Sequence, residues 1–318
     1  MILEHEPNKQ DITEAHERIK KHIHRTPILS SSLINSIADC EIYFKCENFQ
    51  KVGAFKFRGA SNAVLSLSSN ELQRGVATHS SGNHAAALAL AAKMKKVPAY
   101  IVMPRTAPEI KKIAVEGYGA KIIFCEPTLQ AREEALAKVV EETGATFIHP
   151  YNNCSVIAGQ ATCAKEILEE ITDLDFIIPP VGGGGLSSGT CLSAKYFSNK
   201  TKVIGAEPEG ADDAFRSLRD KTIYPSVNPK TICDGLLTSL GDKTYSILNQ
   251  RLEAILTSSD ESIILAMRLI WERMKIIVEP SSAVTLAVVM ENKAKFAGKK
   301  IALILSGGNV DLAKLPWN

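Results

Sequence analysis

The stretch VATHSSGNHAAALALAAKMKKVPAYIVMP, residues 76–104, decides the fold class. VATHS reads as a short strand, SGN as a small-residue turn, HAAALALAAKMKK as a helix of strong helix formers, and AYIVMP as a second strand. Strand, helix and strand make a βαβ unit, because parallel neighbours need a crossover of that length. A second unit follows at once, with KIIFCE at 121–126, the helix LQAREEALAKVVEETG at 129–144 and the strand ATFIHP at 145–150.

Working outward, DITEAHERIKKHIHR has helical spacing with Asp11 as its expected N-cap. EIYFKCEN reads as a strand and FKFRGASNAVLSL as a helix. Downstream come the loop YNNCSV, a helix from about residue 158 to 170, the strand DFIIPPV and the loop GGGGLSSG. The strands VIGAEP, EAILT and IALILS follow, with helices near 260–275 and 281–293. This is an α/β pattern with mostly parallel sheets and right-handed crossovers. The 318 residues suggest two domains at about 150 each. No Pro-, Gly- or Ser-rich linker divides them, so the two are expected to be interwoven.

Hydrophobic residues make up 45% and charged residues 23%, which argues against disorder. Lys+Arg number 37 against 35 Asp+Glu, a net +2, and the two signs are interleaved, so no nucleic-acid partner is expected. No run of about 18 apolar residues is present to span a membrane. MILEHEPNKQ lacks the pattern of a secretory signal, and the chain reads as cytoplasmic. Seven cysteines without a C-x-x-C argue against disulfides and structural zinc.

Several segments can carry chemistry. Gly182–Gly185 sit between an apolar strand and a helix, where backbone free of Cβ atoms can wrap a phosphate; a flexible loop is the alternative. SSGNHA, residues 80–85, lies at the C-terminal edge of a strand and can clasp a carboxylate, or simply cap the helix. Lys56 stands between Phe55 and Phe57, where desolvation would lower its pKa toward Schiff-base chemistry; the segment by itself favours an ordinary surface lysine. SGGN at 306–309 ends another strand, hinting at one shared crevice. In EPEGADD, Glu207, Asp213 and a carbonyl could hold a hard divalent cation, with a solvated acidic loop as the alternative.

In this order, FKFRGA, SSGNHA, VIAGQ, GGGGL, EPEGADD and LSGGN resemble the fold-type II family of pyridoxal 5′-phosphate (PLP) enzymes, over nearly the whole chain. Within it the chain is similar to the serine racemases and serine/threonine dehydratases. The resemblance implies two interwoven, open, twisted, mostly parallel sheet domains of the tryptophan synthase β type. Residues 1–74 and 152–318 would form the large domain, with 75–151 inserted as the small one. It implies that Lys56 carries PLP and acts as a base, with Ser81 as acid/base on the opposite face of the substrate. Phe55 would pack on the ring, Asn83 would bond its 3′-oxygen, Ser306 would face its nitrogen, and Gly182, Gly183, Gly184, Gly185 and Leu186 would cradle its phosphate. Ser80, Ser81, Asn83 and His84 would surround the substrate carboxylate, helped by Arg132 and Ser239.

Glu207, the Ala211 carbonyl and Asp213 would hold Mg2+, Ca2+ or Mn2+. Ser31, Ser32, Lys51 and Asn309 match positions where some relatives bind ATP as an effector at a homodimer interface. Tyr151 departs from the pattern, since many serine racemases carry Asn after this Pro. With Asn318 following the last motif so closely, the regulatory domain of biosynthetic threonine dehydratases is not expected. The expected activity is racemisation of serine with elimination from serine or threonine. The alternatives are a threonine or threo-3-hydroxyaspartate dehydratase, a cysteine-synthase-like replacement, for which SSGNHA is a poorer match, and a non-catalytic binding homologue.

Overall fold

The computed structural model describes residues 3–107 and 109–317. Ten strands, β1 (Ile28–Leu29), β2 (Glu41–Cys46), β3 (Val76–His79), β4 (Ala99–Pro104), β5 (Lys121–Cys125), β6 (Thr146–Phe147), β7 (Phe176–Ile178), β8 (Lys202–Pro208), β9 (Ala254–Ser258) and β10 (Lys300–Leu305), form two sheets. The larger runs β1-β2-β10-β7-β8-β9, parallel except for the β1–β2 pair. The smaller runs β5-β4-β3-β6 and is parallel throughout. All four of its strands come from the two βαβ units that decided the fold class.

Both sheets are covered on both faces, as parallel sheets require. Along β10 the side chains alternate. Ile301, Leu303 and Leu305 pack with Val284 and Leu286 of the helix Pro280–Glu291. Ala302 and Ile304 face the other way, toward Ile167 of the helix Cys154–Glu170. In the smaller sheet Val76, Ile101 and Met103 meet Leu88, while Ala77 and Val102 meet Leu136 and Val139. The helix Lys56–Leu65 serves both halves, because Phe57 and Ala60 join the cluster of the smaller sheet. On its other side Arg58 is fully buried in the larger half, where it bonds Glu47 from Nε (2.7 Å) and Glu166 from Nη1 (2.8 Å). Lys45 completes this cage by donating to Glu166 at 2.7 Å.

Two strands are much shorter than read, Thr146–Phe147 within ATFIHP and Phe176–Ile178 within DFIIPPV, and three helix starts differ from the sequence reading. The first helix, Lys9–Ile19, is capped by Asn8 and not Asp11. Asp11 instead reaches back to the Asn8 N–H at 2.8 Å, so an Asn-x-x-Asp capping box moves the start upstream. The helix expected from residue 158 begins at Cys154, because the Asn153 side chain takes the Val156 N–H at 3.0 Å. Of the loop GGGGLSSG, only Gly182–Gly184 stay outside a helix, which runs Gly185–Phe197. The seven cysteines are free and buried.

Candidate functional site

The C-terminal ends of β2, β3, β7 and β10 converge, and the segments that follow them line a cavity of about 450 Å³. That is the position where open α/β sheets bind ligands, and the size suits a small molecule. Strand pairing sets the geometry. Leu305 lies beside Cys46, Ala54 bridges Gly307, and the Phe55 N–H donates to the Ser306 carbonyl at 2.9 Å. Lys56, the first residue of its helix, is thereby held next to Ser306 at the floor of the cavity.

Lys56 donates from Nζ to the Pro150 carbonyl at 3.0 Å and lies 5.2 Å from the centre of the Phe55 ring. Burial pushes its ammonium down to about 8, against the pull of Glu279 in the other direction. A surface lysine would not behave so, and the plainer reading of the segment is set aside. The hydroxyl of Ser306 is buried and lies 3.2 Å from that of Ser282, which is held in turn by the Gly307 N–H at 2.7 Å.

The glycine run is tightly packed and leaves backbone donors free. Among the described residues, no protein acceptor takes the N–H groups of Gly183, Gly184, Gly185 or Leu186. They open a thirteen-residue helix whose N-terminus favours an anion. A Cβ on Gly183 would fall 2.4 Å from the Tyr151 ring, so only glycine fits there. Unpartnered donors in a backbone this crowded fit a phosphate.

SSGNHA forms the turn from β3 into the helix Asn83–Lys95. Its N-cap is Gly82, which has no side chain to cap with, and the N–H groups of Asn83 and His84 have no acceptor among the described residues. Ser80, Ser81, Asn83, His84 and Arg132 all line the cavity. Ser81 has no hydrogen-bond partner among the described residues.

Of the expected substrate contacts, Ser239 lies elsewhere, and His84 lines the cavity with its backbone N–H as the available donor. The Nε2–H of His84 goes to the Ile148 carbonyl at 3.2 Å, leaving Nδ1 a buried bare acceptor. Burial, reinforced by the charge of Lys56, holds this ring neutral, so its side chain offers a carboxylate no donor. Ser239 does not line the cavity. Its hydroxyl accepts the Ser226 N–H at 2.8 Å, and Thr238 takes the lining position.

Glu207 and Asp213 are both buried, beside the buried Ala211. Glu207 accepts the Ala214 and Phe215 N–H groups at 3.0 and 2.8 Å, whereas neither oxygen of Asp213 has a partner. Burial drives both carboxyls up, Asp213 to about 6. Two carboxylates and a carbonyl suit a hard cation that keeps some of its waters. No cluster of three or more His, Cys, Asp or Glu suited to a metal occurs among the described residues.

The four nucleotide candidates are not brought together by any contact among the described residues. Ser31 caps the helix Ser32–Ala38, Lys51 lies 5.8 Å from the centre of the Phe57 ring, and Asn309 donates to the Val52 carbonyl (2.8 Å) and to Asn83 Oδ1 (2.9 Å). Sequence reasoning missed Glu279, which is buried beside Asn83 and carries a carboxyl raised to about 7 by burial and by Asp234. It also missed the Lys111–Asp234 ion pair (2.7 Å) at the cavity wall. An acid directly before a proline at a helix start reads as a cap, and nothing else in the sequence marks Glu279.

Comparison with known proteins adds three relatives and a family. The model of the pyridoxal-phosphate dependent enzymes matches residues 19–307. β-Hydroxyaspartate dehydratase of Paracoccus denitrificans is 52% identical, over 98% of this chain and 99% of its own. The crystal structure of serine racemase from Dictyostelium discoideum has a TM-score of 0.92 at 50% identity, covering 96% of this chain and 99% of that one. The structure of maize serine racemase has a TM-score of 0.95 at 43% identity, covering 97% and 95%.

Proposed function

The chain belongs to the pyridoxal-phosphate dependent enzymes, and from that premise we propose that it racemises serine and eliminates water from β-hydroxy amino acids. Its fold is fold-type II, its class is the amino-acid racemases and ammonia-lyases, and the non-catalytic alternative is set aside. One observation carries the reading of the site: Lys56 and Ser81 share a cavity with an anion cradle of unpartnered N–H groups.

Pyridoxal phosphate supplies an electron sink that acidifies the Cα–H of a bound amino acid. In this reading Lys56 is its attachment point, with Phe55, Asn83, Ser306, Gly182–Gly185 and Leu186 around it. First-turn N–H groups of the helix Asn83–Lys95 and the hydroxyls of Ser80 and Ser81 hold the substrate carboxylate. Lys56 Nζ moves the Cα proton on one face; a lysine brought to about 8 can serve as a base near neutral pH. The Ser81 hydroxyl gives or takes the proton on the other face, and return from that side inverts the centre. When the β-hydroxyl leaves first, the products are a keto acid and ammonia. We read residues 75–151 as the small domain, whose closure would exclude water.

A substrate panel of L-serine, L-threonine and threo-3-hydroxyaspartate, read for keto acid and D-amino acid with and without Mg2+, tests this. With Ser81→Ala, D-serine formation should fall by about 10²–10⁴-fold, the range of a positioned acid/base, while keto acid from L-serine partly survives. Equal loss of both products, or of neither, would remove Ser81 from the role.

A second reading, 3-hydroxyaspartate as the preferred substrate, rests on Arg132. This guanidinium lines the cavity, has a buried Nε without a partner, and pairs with no carboxylate among the described residues. The Paracoccus relative acts on such a dicarboxylate. Arg132→Gln should lower kcat/KM for threo-3-hydroxyaspartate by about 10–100-fold, the worth of a hydrogen bond to a charged group, and for L-serine much less. Equal losses would return Arg132 to the α-carboxylate.

The same proposal carries a divalent cation at Glu207, Ala211 and Asp213, supported by the orphaned Asp213 carboxylate. A homodimer would use the exposed apolar side chains of Leu33, Ile37 and Leu265, on two touching helices. ATP as an effector at Lys51 would act on the Asn309 amide, which bonds both the adjoining Val52 carbonyl and Asn83. Seven free thiols suit a reducing, cytoplasmic setting. No helix is long and apolar enough to cross a membrane among the described residues.

A further inference from the structure

Glu279 has no place in the chemistry above, yet its side chain is spent in an unusual way. It occupies the N-cap position of the helix Pro280–Glu291 but makes no cap bond to that helix. Its backbone N–H is fixed to the Gly307 carbonyl at 3.0 Å, and its carboxylate crosses to the facing segments. There it accepts the Asn309 N–H at 3.1 Å and the Asn83 side-chain amide at 3.2 and 3.3 Å. A Cβ on Gly307 would lie 2.8 Å from Oε1, so the carboxylate has little room to move.

The Asn83 amide is thus gripped from both ends. Its oxygen receives the Asn309 Nδ2–H at 2.9 Å, and its nitrogen faces an acceptor. A side-chain amide is nearly the same shape with oxygen and nitrogen exchanged, so packing cannot choose between the two orientations. Only hydrogen-bonding sense can. In the exchanged orientation the amide oxygen would face the Glu279 carboxylate and its NH2 would face that of Asn309, leaving two contacts repulsive.

We propose that Glu279 is a positioning residue that locks the Asn83 amide with its nitrogen toward the carboxylate, so that the second N–H on that nitrogen is always the group presented to the cofactor's ring oxygen. This rests on the reading of the cavity as a PLP site. Glu279 touches no reacting atom in this scheme and acts through Asn83.

The test uses the holoenzyme at a pH above the carboxyl's value of about 7. Glu279→Gln keeps the volume, but once its oxygen accepts the Asn309 N–H, its NH2 faces the Asn83 amide and favours the exchanged orientation. The long-wavelength absorbance of the bound cofactor should move to shorter wavelength, and cofactor affinity should weaken by about tenfold, as for one hydrogen bond to a charged group. Asn83→Ala should do the same, and adding Glu279→Gln to it should change little further, because one acts through the other.

A wild-type spectrum and affinity in Glu279→Gln would overturn the proposal, as would a full second loss in the double variant. A merely structural role would lower the melting temperature without moving the band. If Glu279→Gln does not fold, Glu279→Asp withdraws the acceptor by one methylene and should give a smaller shift of the same band; no shift counts against the lock. A wild-type protein without any cofactor band would defeat the PLP reading itself, a separate outcome.

Discussion

Lys56→Ala should lose keto-acid and D-amino-acid formation by at least about 10⁴-fold, the upper end of what one positioned proton-transfer group supplies. It should also lose covalent attachment of pyridoxal phosphate. The structure explains why this lysine and not one of its many neighbours is the candidate. The bridge from Ala54 to Gly307 and the bond from the Phe55 N–H to Ser306 leave Lys56 at the start of a helix, pointing into the cavity. Its ammonium, brought down to about 8 by burial, is partly unprotonated near neutral pH, as a nucleophile toward an aldehyde must be. Borohydride reduction of the wild-type holoenzyme followed by peptide mass analysis should place the pyridoxyl group on Lys56 alone. Labelling of another lysine, or retained turnover in Lys56→Ala, would contradict the assignment.

The parts of this site that could be read from the sequence are those where chemistry and local structure coincide. The glycine run and SSGNHA each follow a strand and open a helix, so their place as strand-to-helix turns and their free N–H groups were legible together, although the helix after the glycines starts within the run, at Gly185. The two βαβ units were legible because an Ala-rich helix between short apolar strands has few other uses. Other features depend on partners far away in the chain. His84 is kept neutral by burial and by the charge of Lys56, and its Nδ1 is left the bare acceptor because the carbonyl of Ile148, 64 residues on, accepts the Nε2–H. Thr238 replaced Ser239 at the wall because Ser226 engages the Ser239 hydroxyl. Glu279 acquires its partners from Asn83 and Asn309, which no spacing rule connects. Helix starts at Asn8 and Asn153 moved for a local reason, since each Asn takes a free N–H of the first turn, and a capping side chain outweighs where the apolar pattern begins.

Arg58→Met should destabilise the folded chain by about 3–5 kcal/mol, the usual cost of removing one member of a buried ion pair. Against a total of about 5–15 kcal/mol, that is a large share. The cage around Arg58 holds two cations and two anions, Arg58 and Lys45 with Glu47 and Glu166, all buried. Without Arg58, Lys45 alone must answer two carboxylates, and one buried negative charge is left over. The same argument fixes the direction of acid sensitivity. Burial by itself would raise the Glu166 carboxyl, but the charges and hydrogen bonds of Arg58 and Lys45 override it and bring it to about 2. Its contribution is therefore fully present above the ordinary value of 4.5 and is lost as pH falls toward 2. In Arg58→Met much of that pull is gone, so the stability contributed by Glu166 near neutral pH should be smaller and the acid-dependent part of the melt correspondingly shallower. Urea melts of Arg58→Met and of Arg58→Met with Glu47→Gln, each across that pH range, check both statements. The second substitution removes the surplus negative charge and should recover part of the loss. Recovery would identify uncompensated charge, and not lost packing, as the main cost; an unchanged midpoint in Arg58→Met would show that the cage contributes little to holding the helix that carries Lys56.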